Sequence, residues 1–102
     1  MSSHVVLTFL AKPDSVESLV QQLTEFQDRS IHTGAITASL MQDENDSNRL
    51  IEEEVWLSAE HHQRFLAEER DAGSLASLEA LLASPVEVSY LDTLKYSSNR
   101  QH

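Results

Sequence analysis

The stretch Glu52-Glu53-Glu54-Val55-Trp56-Leu57-Ser58-Ala59-Glu60 decides how this chain folds. It reads as a strand that stops at Ser58 and turns directly into a helix, because serine caps helix N-termini well. It also carries the only tryptophan, beside an acidic run that a buried strand normally avoids. Outward from this junction, the elements run strand, helix, strand, strand, helix, strand. That order is the split βαβ, or ferredoxin-like, arrangement.

Upstream, His4 to Ala11 reads as a first strand, with Val5, Leu7, Phe9 and Ala11 on one face by period two. Lys12-Pro13-Asp14 breaks it, and Asp14 with Glu17 forms a capping-box pattern. The helix that follows places Val16, Leu19, Val20, Leu23 and Phe26 in one stripe. Gly34 opens a second strand, Ala35 to Gln42, with Ile36, Ala38 and Leu40 in phase. The polar run Asp43 to Asn48 reads as a hairpin loop. The third strand runs from Arg49 to Leu57.

Downstream, a second helix spans about Ala59 to Asp71. Gly73 suits its end, and Ser74 starts a further short helix with Leu75, Leu78, Leu81 and Leu82. Pro85 ends that helix. Val86 to Tyr96 is the last strand, with Val88 and Tyr90 in phase, and Ser97 to His102 is a polar tail. The expected fold is α+β: a four-stranded antiparallel sheet with its helices on one face, because right-handed crossovers put both on the same side.

The opposite strand phase mixes Val6, Leu10, Met41 and Leu91 with Thr8, Thr37, Ser39 and Ser89. A sheet face turned to water shows a cleaner polar pattern. A second copy of the same sheet is the simplest cover, so a homodimer is expected.

The chain of 102 residues has room for one domain, with a core over about residues 4–96. Its balance of 17 acidic to 7 basic residues, a formal charge of −10, repels phosphate backbones and anionic lipid. Neither nucleic acid nor a membrane surface is therefore an expected partner. There is no cysteine, which removes disulfides and thiol chemistry together. No basic leader and no run near the roughly 18 apolar residues of a membrane span is visible, so a cytoplasmic location is expected. With only two glycines, the chain has no phosphate-binding loop or nucleophile elbow.

Several pieces occur in a telling order: the opening strand running into Lys12-Pro13, Gly34 before the second strand, Glu54-Val55-Trp56, and the helix start Ser58-Ala59-Glu60. Over His4 to about Tyr96 the chain resembles the antibiotic-biosynthesis-monooxygenase-like domain of the dimeric α+β barrel group. The resemblance implies two subunits that pair their sheets into a shared barrel, each with a pocket between sheet and helices. It also implies a small-molecule substrate, and oxidation of quinols or phenols without metal or flavin in some relatives. Many members carry a histidine nine residues after the tryptophan, where this chain has Phe65. The haem-degrading members' asparagine and histidine fall near Val6 and near Ser74 or Leu75, so haem is not implied.

Trp56 offers a flat apolar wall with one N–H donor, and Phe65 and Phe9 are expected near it. Glu52 and Glu54 share the phase of Trp56. A carboxyl enclosed by apolar walls has a raised pKa and suits a general base on a phenol, which makes Glu54 the catalytic candidate. Alternatively these glutamates lie at a solvated edge or pair with Arg49 or Arg64. Of His61 and His62 at most one faces inward; His61 is taken as the second acid–base candidate. Neither has a metal-ligand partner at helical spacing, so no metal site and no cofactor are expected. The face is open at one point: Val55 shares its phase with apolar Ile51 and Leu57, so either set can meet the helices.

Three readings of function follow: a cofactor-independent monooxygenase acting on a flat aromatic or quinol, a non-catalytic ligand-binding or accessory module, or an acid–base isomerase of a small metabolite.

Overall fold

Alternating apolar residues and turn breakers produce the expected elements. A computed structural model describes residues 2–94. It contains β1 (Ser3–Leu10), α1 (Val16–Thr33), β2 (Ala35–Gln42), β3 (Arg49–Trp56), α2 (Ala59–Asp71), α3 (Ser74–Glu79) and β4 (Glu87–Leu91). The four strands lie in the order β2-β3-β1-β4, and every neighbouring pair is antiparallel. This is the ferredoxin-like sheet, with α1 and α2 across one face.

The core is the layer between that face and the helices. Leu19, Leu23 and Phe26 of α1 and Phe65 of α2 pack on Val5, Leu7, Phe9, Leu50 and Trp56, all 3 % exposed or less. Each large side chain buried in this way contributes about 1.5–3 kcal/mol. A second link joins the helices directly. Arg29 of α1 donates through Nε and Nη2 to the Glu69 carboxylate of α2 at 2.8–3.1 Å, and Ser74 of α3 donates to the same group at 2.8 Å.

Local chemistry moves several boundaries. Ala11 leaves the first strand and forms a lone bridge with Leu82. The Asp14–Glu17 capping box does not form: Ser15 is the N-cap of α1, and Asp14 sits at φ 66, turning the chain after Pro13. Ser58 does cap α2, accepting from the His61 backbone N–H at 3.2 Å. In the last strand regular pairing covers only Glu87–Leu91; Lys95, Tyr96 and the tail 97–102 lie outside the described residues.

Ile36 is the largest correction. It does not share a face with Ala38 and Leu40 but is 55 % exposed. A bulge between Ala35 and Thr37 inserts one residue and reverses the phase, so that buried Ala35 precedes half-buried Ala38 and Leu40.

Gly34 ends α1 with extended backbone, so its need for a missing side chain is steric rather than conformational. A Cβ there would stand 3.1 Å from the Trp56 ring. Gly34→Val is therefore expected to destabilise by about 1–3 kcal/mol through overpacking. Urea unfolding followed by emission of the single tryptophan measures both the loss and the altered ring environment.

Candidate functional site

Cross-strand register sets two rows of side chains beneath the helices. One runs Ala38, Glu54, Val5, Tyr90 across the four strands; the next runs Leu40, Glu52, Leu7, Val88. The choice of phase in β3 is now settled. Leu50, Glu52, Glu54 and Trp56 face the helices at 0–1 % exposure, while Leu57 is 59 % exposed. Glu52 and Glu54 are thus neither at a solvated edge nor paired with arginine. Arg49 instead pairs with Asp43 in the hairpin, at 3.0 Å.

Glu54 is the hub of a polar cluster. Its Oε1 accepts from the Trp56 indole N–H at 2.8 Å, and its Oε2 lies 3.1 Å from the Ser30 hydroxyl of α1. The fully buried His62 ring of α2 stands over this row, with Nε2 3.7 Å from Glu54 Oε1 and Nδ1 2.9 Å from the Tyr90 hydroxyl. Trp56 meets both His62 and Phe65 with ring centroids 5.4 Å apart, and Phe65 meets Phe26 edge-on at 5.0 Å.

Burial without a cation forces these groups toward neutrality. Desolvation, with the charge of Glu54 added, pushes the Glu52 carboxyl up to about 9; the Gln27 amide beside it pulls weakly the other way. Neither Glu52 oxygen nor Gln27 Nε2 makes a hydrogen bond of ordinary geometry. Burial also raises Glu54, opposed by its hydrogen bonds from Trp56 and Ser30. The same desolvation lowers His62 to about 4. Near neutral pH the cluster holds a protonated Glu52 and an uncharged imidazole.

The expected site residues separate in space. Glu54, Trp56 and Phe65 are together. Phe9 lies further along β1 and lines, with Leu7, Phe26, Leu66, Leu78 and Val88, an apolar cavity of about 170 Å³ beneath α2 and α3. Trp56 is not on the wall of that cavity, but Leu7 in its floor is the direct neighbour of Glu52. His61 points outward, its Nδ1 2.6 Å from Ser58 Oγ at the helix cap, and His62 is the inward histidine.

Sequence reasoning missed His62, Ser30, Gln27 and Tyr90 as members of the site. Two signals were present. His62, Phe65 and Glu69 recur at i, i+3, i+7 and are all buried, and Ser30 continues the buried stripe Leu19, Leu23, Phe26. Among the described residues no group of three His, Asp or Glu side chains is placed to hold a metal ion.

The family profile described as antibiotic biosynthesis monooxygenase matches residues 2–70. Comparison with curated proteins returns no match. Among solved structures, Rv0793 from Mycobacterium tuberculosis superposes with a TM-score of 0.82 at 20 % identity, covering 96 % of this chain and 100 % of that one. PA3566 from Pseudomonas aeruginosa gives 0.79 at 25 % identity, over 92 % and 95 %. SnoaB from Streptomyces nogalater, a cofactor-independent oxygenase, gives 0.69 at 20 % identity, over 93 % and 95 %.

The displaced titrations predict how stability depends on pH. Glu52 binds its proton more tightly folded than unfolded, so its contribution declines as pH rises from about 4.5 to about 9. His62 acts oppositely, adding stability as pH rises from about 4 to 6.5. Unfolding free energy is expected to fall between pH 7 and 9 with a slope up to about 1.4 kcal/mol per unit. Glu52→Gln is expected to flatten that limb in urea titrations.

Proposed function

The chain belongs to the antibiotic biosynthesis monooxygenase family, and from that premise we propose that it is a cofactor-independent oxygenase acting on a small, flat, electron-rich aromatic. The observation that carries this reading is the pair of carboxyls, Glu52 and Glu54, buried at 0 % and 1 % exposure beside an aromatic-lined apolar layer, with no lysine or arginine among the described residues paired to them. A protein that needs only a stable core has no use for two such groups, since each desolvated carboxyl costs stability. Catalysis on a phenol does use them. An apolar cavity desolvates and orients the ring, and an ionised carboxyl removes the hydroxyl proton. The resulting electron-rich anion reduces dioxygen itself. One oxygen atom stays on the ring, which ends as a quinone, and the other leaves as water with two hydrogens from the substrate; the substrate supplies all four electrons, so no protein redox group is required.

Roles follow from position. Glu54, tuned by Trp56 and Ser30, is the proposed general base, and neutral His62 is its nearest proton partner. Glu52 is the carboxyl closest in register to the cavity floor. Trp56, Phe65 and Phe9 supply aromatic wall on either side of the cluster. His61, engaged with the helix cap, is assigned no catalytic part.

A second reading, a ligand-binding module without turnover, draws support from two features. Both oxygens of Glu54 already have hydrogen-bond partners, and Phe65 occupies the place of a family histidine. The open sheet face supports pairing in either case. Leu10, Met41 and Leu91 are 36–49 % exposed there, around a hollow of about 380 Å³ lined by Val6, Thr37, Glu53 and Val55. A homodimer through this face is proposed.

Oxygen uptake with a panel of quinols and naphthols tests the oxygenase reading. Because the base form of a carboxyl exists above its pKa, and burial raises that of Glu54, the rate is expected to climb with pH. Glu54→Gln is expected to lose about tenfold or more. A ligand-induced rise in melting temperature with no oxygen consumed would favour the binding module. Separately, Met41→Lys or Leu91→Lys is expected to shift sedimentation toward the 11.5 kDa monomer.

A further inference from the structure

With Glu54 ionised, one placement of protons gives a continuous line of donors and acceptors from Tyr90 to the carboxylate. The Ser30 hydroxyl has a single proton but lies 2.8 Å from the Gln27 carbonyl and 3.1 Å from Glu54 Oε2. Both of these groups accept, so Ser30 shares its one proton between the Gln27 carbonyl and Glu54 Oε2. Oε1 then accepts from Trp56 and faces His62 Nε2. With Nε2 protonated toward that acceptor, Nδ1 is the lone-pair nitrogen and receives the Tyr90 hydroxyl at 2.9 Å.

The chain of groups therefore crosses the molecule in one direction. Tyr90 on edge strand β4 is half-buried, His62 and Glu54 are at 0–1 % exposure, and Ser30 is at 0 %. Of these four side chains, Tyr90 is the one that is not fully buried. We propose that Tyr90 and His62 form the path by which the buried Glu54 carboxyl exchanges its proton with water.

In the inward direction Tyr90 passes its proton to Nδ1 and recovers one from water, while Nε2 passes its proton to Oε1 of the carboxylate. This leaves the proton on Oε1 and the imidazole protonated at Nδ1 instead of Nε2; the outward direction starts from that state and reverses each transfer, and the 3.7 Å gap closes by a small movement of the imidazole. The other groups facing the path are Glu52, Trp56, Gln27 and Gln63, the last beside the phenol. Use of the path in turnover rests on the oxygenase reading; its existence does not.

A substrate-free experiment therefore tests it. The indole of Trp56 donates directly to Glu54, so its emission reports the charge of that carboxyl. After an alkaline pH jump in stopped flow, the wild-type emission change is expected to relax at least about tenfold faster than in Tyr90→Phe, the scale of a lost acid–base partner. The endpoint emission is expected to be the same, because Phe keeps the ring and its packing. Added free imidazole is expected to restore part of the rate. His62→Gln is expected to reproduce the slow phase, and provides the test if Tyr90→Phe fails to fold. Equal relaxation rates in wild type and both variants would overturn the path, as would emission that never responds to pH. Either result leaves oxygen uptake to decide the oxygenase reading on its own.

Discussion

The hydrogen bond from the Trp56 indole to Glu54 is the interaction on which the rest of the site depends. Residues two apart on a strand share a face, so this contact holds both side chains on the helix side of the sheet. Once they are inward, Leu50 and Glu52 follow by period two, and Ile51, Val55 and Leu57 turn to the opposite side. The indole also crowds position 34, where a Cβ would stand 3.1 Å from the ring, so glycine at the end of α1 fits there without displacing it. It also provides the wall on which Phe65 and His62 are stacked, and so sets the angular position of α2 over the sheet.

Three buried glutamates show how partners, rather than burial alone, decide charge. Glu69 loses solvent, yet hydrogen bonds from Arg29 and Ser74 outweigh desolvation and hold its carboxyl below the usual range. That ion pair clamps three helices together. Glu54 has neutral donors only, and Glu52 has none of good geometry, so burial wins at both. The contrast separates a carboxylate held ionised by its partners from two that burial pushes toward the protonated form.

Much of the fold was legible because its signals are local. Apolar alternation marked β1, the Leu19–Leu23–Phe26 stripe marked the buried face of α1, and Ser58 marked the start of α2. What local pattern misread came from competing local geometry. The bulge at Ala35–Thr37 turned Ile36 outward although it alternates correctly with Ala38 and Leu40, and the left-handed turn at Asp14 moved the helix cap to Ser15. The candidate site was legible in part. Trp56 and Glu54 were tied by spacing, but of two adjacent histidines the less obvious one faces inward, and helix rotation is decided by packing.

By itself, the sequence determined the element order, the acidic balance and the membership of Glu52, Glu54 and Trp56 in one strand face, because periodicity is a property of the backbone. Only the tertiary structure decided that this face is the buried one, that His62 and Tyr90 meet above Glu54, and that among the described residues neither carboxyl pairs with a lysine or arginine. Those outcomes depend on contacts between residues 24 to 40 positions apart, such as Ser30 with Glu54, His62 with Tyr90, and Arg29 with Glu69. No short-range pattern encodes such pairs. They exist because the register of four strands and the rotation of two helices are fixed together, by the packing of one core.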